Sequence, residues 1–128
     1  MTERDFPNAI ELTLPAGREY ALVAGMAISG VGVLAGLDVD LIGDLRTVTT
    51  ECMDCLAHQP SRAGRVAIEA WLDGARLHLR FRARERCPGD AAAPDLELTQ
   101  GVLETLMPDV RLLSDEGGVW GIDCSMPA

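Results

Sequence analysis

The sequence contains no lysine, so all eleven of its basic residues are arginines, and these are outnumbered by twenty acidic residues. The formal net charge at pH 7 is −9. Phosphates of nucleic acids and anionic membrane surfaces repel a chain with this charge. The charge balance therefore argues against general nucleic-acid binding and against attachment to an acidic lipid surface.

The sequence also lacks a long apolar run. The longest one lies between Arg18-Glu19 and Gly36-Leu37-Asp38, which is shorter than the roughly 18 to 20 residues of a membrane span. The opening residues 1–5 lack the basic start, apolar stretch and cleavage site of a secretory signal. We therefore expect a cytoplasmic protein without a membrane segment, whose four cysteines are reduced thiols outside any disulfide framework.

With 128 residues, of which 48% are hydrophobic and 24% charged, the chain has the size and composition of one globular domain. The predicted domain covers residues 1–128 and has a single hydrophobic core.

Alternating and helical patterns divide the chain into eight elements. A strand at 10–14 precedes a helix within 18–36, and Asp38 caps a second helix that ends at Pro60. Asp73-Gly74 joins two alternating runs into a hairpin, and a long loop at 84–96 leads to a third helix at about 97–107. A second hairpin ends the chain. Because most strands adjoin through hairpins, the pattern predicts an α+β two-layer sandwich, a mixed, mainly antiparallel sheet with three helices on one face.

The first helix has an unusual composition, because residues 21–36 contain no charged side chain. Its large apolar residues keep helical spacing and predict the buried stripe. A helix that is apolar or small all round is either deeply buried or has a second face that binds another protein. The predicted stripe consists of Val23, Met26, Ala27, Val31 and Leu34.

Three stretches of the chain form a recognisable pattern. They are Ile10-Glu11-Leu12-Thr13-Leu14-Pro15, then Asp44-Leu45-Arg46 with Thr50-Glu51-Cys52, and Leu103-Glu104-Thr105-Leu106-Met107-Pro108-Asp109-Val110. These stretches resemble the anti-sigma factor serine kinases of the RsbW and SpoIIAB type, a family of the GHKL superfamily with the Bergerat ATP-binding fold (a histidine-kinase-like ATPase fold). The resemblance covers nearly the whole chain in the same order.

The family's helix motif of Glu, three residues and Asn falls here on Glu51 and Cys55. The resemblance implies that Glu51 occupies the position of the general base and Cys55 that of a magnesium ligand. Magnesium prefers oxygen ligands, so a neutral thiol does not replace the amide oxygen.

The family's other nucleotide motifs are also changed. Its adenine-binding Asp-x-Gly falls on Ala83 to Glu85, and the Gly-x-Gly of its ATP lid falls near Glu97 and Thr99. The carboxylate of Glu97 would repel a triphosphate. The resemblance thus implies a degenerate nucleotide site without a cofactor.

The implied function is that of an RsbW-like regulator, not an enzyme, that binds a sigma factor or an anti-sigma factor antagonist and forms a homodimer. One alternative is an active kinase of this family, with ATP and magnesium bound and Glu51 as the base. Arg80, Arg82, Arg84 and Arg86 form either a solvated face or a docking surface for an acidic partner.

A second alternative, from another class, is a thiol or zinc-binding protein. Cys52 and Cys55 with His58 have ligand types suited to zinc, with Cys87 or Cys124 as a fourth ligand. Both cysteines lie on the apolar stripe predicted for the second helix, with Leu41, Leu45, Val48 and Leu56, and this place favours buried, inert cysteines instead. Cys87 differs, because neighbouring arginines favour a reactive thiolate.

Overall fold

The computed structural model describes residues 8–92 and 95–128. The expectation about residues 1–5, and the part of the predicted 84–96 loop at Ala93 and Pro94, lie outside the described residues.

Three helices begin and end close to the predicted positions: α1 (Arg18–Leu34), α2 (Val39–Ala57) and α3 (Leu96–Glu104). The side chain of Asp38 accepts a hydrogen bond from the backbone N–H of Leu41 at 2.9 Å, which confirms it as the cap of α2. Asp95 caps α3 in the same way through Leu98. α3 ends earlier than predicted, because the chain leaves the helix through a turn at 105–106.

The strands are β1 (Ile10–Pro15), β2 (Ser61–Arg62), β3 (Arg65–Asp73), β4 (Arg76–Arg84), β5 (Cys87–Pro88), β6 (Asp109–Asp115) and β7 (Gly118–Pro127). Five of them form one sheet in the order β1-β3-β4-β7-β6, and the short strands β2 and β5 pair separately. All four neighbouring pairs of the large sheet are antiparallel.

Both predicted hairpins are confirmed. The β3–β4 turn contains Gly74 at φ 60°, a left-handed conformation that favours glycine. The predicted loop at 84–96 is more ordered than expected, because it contains β5. This strand pairs with β2, which follows α2 in the chain. The backbone N–H of Gly89 also donates to the carbonyl oxygen of Pro60 at 2.8 Å, so this segment is anchored to the end of α2.

The core lies between one face of the sheet and the helices, which confirms the two-layer α+β sandwich. Every second residue of the central strands points into it, as alternation requires. The fully buried side chains include Ile28, Leu45, Met53, Leu56, Ile68, Leu77, Leu79, Phe81, Leu103, Met107 and Ile122.

The predicted buried stripe of α1 is wrong at four of its five positions. Val23 and Met26 are 47% and 62% exposed, Leu34 is 79% exposed, and Ala27 is also exposed. Only Val31 of that stripe is buried. The buried face is made of small residues around Ile28, namely Ala24, Gly25, Ser29 and Gly32.

In the part of the chain that the structure describes, no helix is long and apolar enough to cross a membrane. The assignment of residues 1–128 to a single domain stays a prediction.

Candidate functional site

Two hollows flank the C-terminal half of α2. The smaller, the α2–α3 cleft, has a volume of about 270 Å³. Its lining contains two carboxylates and, among the described residues, no arginine. The lining residues are Glu51, Asp54, Cys55, His58, Gln59, Leu98, Thr99, Val102 and Leu103.

The larger hollow, the α1–α2 cavity, has a volume of about 540 Å³. Apolar side chains of both helices form its floor, including Ala21, Leu22 and Met53. Arg18 and Arg62 lie on its wall together with the carboxylates of Glu51 and Asp54, so the cavity combines an apolar interior with charges of both signs.

Three of the six residues predicted for a nucleotide site lie around the α2–α3 cleft. Glu51 is exposed and also lines the α1–α2 cavity, while Cys55 and Thr99 line the cleft from opposite helices. The hydroxyl of Thr99 donates to the carbonyl oxygen of Asp95 at 3.1 Å, within the first turn of α3.

The Cys55 thiol is held in its neutral form. Burial above all, and then the negative charges of Asp54 and Glu51, raise its pKa to about 11. A metal ligand must be the thiolate, and magnesium is poorly matched to sulfur in either form. The position at Cys55 therefore does not fit a magnesium ion.

The other three predicted site residues lie elsewhere. Ala83 packs against the hydrophobic core. Glu85 has a left-handed φ of 52° and its carboxylate lies 3.5 Å from the Nε atom of Arg65. Glu97 is exposed in the first turn of α3 and is not among the residues that line the cleft.

Gln59, which sequence reasoning missed, closes the inner end of the α2–α3 cleft. It is 2% exposed, and its Nε2 donates to the carbonyl oxygen of Cys55 at 2.7 Å. Its Oε1 accepts from the backbone N–H of Val119 at 2.9 Å. A side chain at Gly118 would collide with this amide. Gln59 thus joins the end of α2 to the start of β7 and fills space behind the cleft.

The cysteines are not brought together as a zinc site. Cys52 lies in the core, where burial above all, and then the Cys124 thiol, raise its pKa well above its usual value. Cys87 lies on β5, opposite Arg62. Within residues 8–92 and 95–128, no three Cys, His, Asp or Glu side chains are placed to bind a metal ion, so the structure does not support the zinc alternative.

The arginines of the uncovered sheet face are largely paired with carboxylates of the same chain. Arg82 lies 2.8 Å and Arg80 3.7 Å from Asp123, while Arg76 pairs with Asp109. Arg80 also lies over the ring of Trp71, 5.3 Å from its centroid. These internal ion pairs favour the solvated-face interpretation over a docking surface for an acidic partner.

Arg86, at the end of the same arginine series, makes a bidentate pair with Asp115 at 2.8 and 3.0 Å. The Arg86 guanidinium lowers the pKa of Asp115, whose hydrogen bond from the Gly117 N–H acts in the same direction. This pair closes the β6–β7 turn over the β2 strand, and its charges are already matched.

Comparison with known proteins gives one relative of interest. The chain is 28% identical to the serine-protein kinase RsbW of Listeria monocytogenes, over an alignment that covers 86% of this chain and 82% of the relative. No protein-family model matches the chain. The chain is therefore similar to a serine-protein kinase of the RsbW type over most of its length.

Proposed function

We propose that this chain is a regulator of the RsbW type that acts in partner switching by binding a sigma factor or an anti-sigma factor antagonist, without ordinary ATP binding. Such a partner would place the protein in the cytoplasm. The similarity to an RsbW kinase over most of both chains supports the regulatory class. The sandwich of helices on one sheet face is compatible with the Bergerat fold of the GHKL superfamily.

The proposal that ATP does not bind rests on the chemistry of the α2–α3 cleft. ATP brings a large negative charge, yet the cleft presents the carboxylates of Glu51 and Asp54 and the neutral thiol of Cys55. Its volume of about 270 Å³ also falls below the roughly 300 to 1,000 Å³ of typical small-molecule sites. Electrostatics and size both oppose the nucleotide.

The backbone at Glu85 supports the resemblance itself. The family places a glycine of its adenine motif at this position, and Glu85 has the left-handed φ of 52° that favours glycine. A bulky residue held there costs about 1 to 3 kcal/mol. The chain therefore keeps a glycine-like backbone conformation at Glu85, although Ala83 stands in place of the aspartate that binds adenine in the family.

A thermal-unfolding experiment tests this proposal. We expect no change in melting temperature with 0.5 mM ATP and magnesium. A ligand present at 100 times its Kd adds about 2.7 kcal/mol, which would raise the melting temperature of a domain this size by several degrees. Such a shift, with transfer of radiolabel from the γ-phosphate to a serine of the antagonist, would establish the kinase alternative.

The kinase alternative retains one supporting observation, the exposed Glu51 at the edge of both hollows. The variant Cys55→Asn restores the family's Glu-x-x-x-Asn motif and sharpens the test. If only this variant responds to magnesium ATP, the native thiol is the cause of the missing affinity.

Partner binding is tested separately, by co-purification of the chain with the sigma factors and anti-sigma factor antagonists of its source organism. Formation of a stable complex with one of them would support the regulatory role, and the absence of any complex would contradict it. We also propose a homodimer, which sedimentation of the purified chain tests directly.

A further inference from the structure

The outer face of α1 carries apolar side chains that nothing in the described chain covers. We call this apolar face the α1 ridge. Leu22, Met26 and Val33 are each more than 60% exposed, and Leu34 is 79% exposed. The ridge consists of Leu22, Val23, Met26, Val33 and Leu34.

The ridge is distinct from the scattered apolar residues of an ordinary surface. Leu22, Met26 and Val33 follow one another at intervals of four and seven residues, which places them on one side of the helix. At 1.5 Å per residue, the ridge from Leu22 to Leu34 is about 18 Å long. Gly30, inside this span, leaves open space beyond its Cα atom, so a second backbone can approach closely there.

A cavity lies at one end of the ridge. Leu22 lines the α1–α2 cavity, whose volume of about 540 Å³ falls within the roughly 300 to 1,000 Å³ of small-molecule sites and so leaves room for a large side chain. Its apolar floor, formed by Ala21, Met53 and Ala57 among others, continues the ridge between the two helices.

The charges around the ridge are mainly negative. The segment 18–58, which contains α1 and α2, carries six carboxylates against two arginines, a net charge of −4, and Arg62 on the wall of the cavity reduces this to −3. Asp40, Glu51 and Asp54 are exposed on α2, the helix that packs beside α1. A partner that buries the ridge would therefore be favoured by positive charge along its flanks.

We propose that the α1 ridge and the α1–α2 cavity bind one amphipathic helix of another protein, which has an apolar stripe for the ridge and Lys or Arg beside that stripe. The length of the ridge, the open position at Gly30 and the apolar cavity suit a helix. The surrounding carboxylates select a basic one. This inference rests on the proposed function, in that the chain acts by binding a protein, and it names the surface used.

Designed peptides provide the probe. One 18-residue amphipathic helix carries a leucine stripe with lysines on the opposite face and flanks, and its control carries glutamates at the same positions. Binding of the labelled peptides to the full chain is followed by fluorescence anisotropy. We expect the lysine peptide to bind at least tenfold more tightly than the glutamate peptide, with an affinity that falls as salt is raised.

Substitutions on the ridge locate the site. Met26→Ser and, separately, Val33→Ser should weaken binding of the lysine peptide at least tenfold while leaving the melting temperature nearly unchanged. The matched control is Leu96→Ser on α3, because Leu96 is 41% exposed, lies away from the ridge and does not line the α2–α3 cleft. It should leave binding unchanged.

The other outcomes contradict the inference in distinct ways. Equal binding of both peptides, or binding that survives Met26→Ser, would show that the ridge does not select a basic helix. A monomer–dimer equilibrium that Met26→Ser abolishes would assign the ridge to a second copy of this chain. If a sigma factor or antagonist binds the native chain and both ridge variants equally, the proposed function stands and this inference fails.

Discussion

The helices α1 and α2 lie side by side on the same sheet, but only the buried face of α2 is predicted correctly from the sequence. In α2, carboxylates mark the solvent side, so the apolar stripe containing Leu45, Val48 and Cys52 has a defined direction, and these residues are buried. In α1 no charge marks either side between residues 21 and 36. Hydrophobic periodicity therefore gives a helix, but not the face that it buries.

Close packing decides the orientation of α1. A methyl group at Gly32 would lie 3.0 Å from the Cδ2 atom of Leu45, and one at Gly25 would lie 3.1 Å from the Cγ atom of Arg46. Only small residues allow α1 to approach α2 this closely. Small residues around Ile28 and Val31 thus form most of the buried face of α1, and most of its larger apolar side chains are directed outward.

A polar residue completes the small face of α1. The hydroxyl of Ser29 donates to the carbonyl oxygen of Gly25 at 2.7 Å and accepts from the Nε atom of Arg46 at 3.2 Å. A buried hydroxyl with both bonds satisfied is tolerated in a core contact. Ser29 therefore lies on the inner face although its polarity suggests the outer one.

The largest expected effect comes from placing the same charge on the two faces of α1. Ala24→Arg puts a long cation at a position that is 0% exposed, which should destabilise the protein by at least about 3 kcal/mol or prevent folding. Met26→Arg, on the outer face, should change the free energy of unfolding by less than about 0.5 kcal/mol. Urea unfolding of both variants measures the difference.

This pair of variants tests the orientation of α1 directly. Equal destabilisation by the two substitutions would mean that the ridge is also buried in the native protein. A more stable Ala24→Arg than Met26→Arg would restore the stripe that periodicity predicts.

A smaller effect, on the pH dependence of stability, distinguishes α2 from α1. Cys55 of α2 titrates at alkaline pH, whereas residues 21–34 of α1 carry no titratable side chain. In the unfolded chain the thiol ionises near its usual pKa of 9, whereas burial raises the folded value to about 11. The unfolded state therefore loses its proton first, and stability should fall by up to about 2 kcal/mol as pH rises from 9 to 11.

The variant Cys55→Ala isolates this contribution. Its free energy of unfolding, measured in urea at pH 8 and at pH 10.5, should decrease less between the two values than that of the native chain. Identical decreases would indicate that the Cys55 thiol is as accessible in the folded protein as in the unfolded one.

The caps of the two helices also differ. Asp38→Ala removes the side chain that accepts from the Leu41 N–H at 2.9 Å and should cost about 1 kcal/mol. Asp38→Asn, which keeps an acceptor oxygen, should recover most of the loss. A loss of the same size in both variants would point to the charge of Asp38 instead of its hydrogen bond.

The parts of the fold that local chemistry determines are the parts that the sequence predicts. Asp73-Gly74 specifies its turn, Asp38 its cap, and strict alternation the buried face of β4. The site is predicted only in part. Resemblance brings Glu51, Cys55 and Thr99 to one cleft, but Gln59 could not be predicted, because its role depends on contact with Val119, sixty residues away along the chain.

The smallest expected effect concerns the start of α1, where Gly17 provides no side-chain cap. Its φ of 169° is extended backbone that any residue adopts, and a Cβ atom there would lie 3.0 Å from the Oε1 atom of Glu19 and 3.4 Å from the Cδ2 atom of Tyr20. Gly17→Ser should therefore stabilise the protein by a few tenths of a kcal/mol, since its hydroxyl can accept from a backbone N–H of the first turn. Gly17→Ala is the control, because it reduces the freedom of the unfolded chain equally without adding an acceptor. If the serine variant is no more stable than the alanine variant, the first turn of α1 gains nothing from a cap, and the difference between the two helix starts has no energetic consequence.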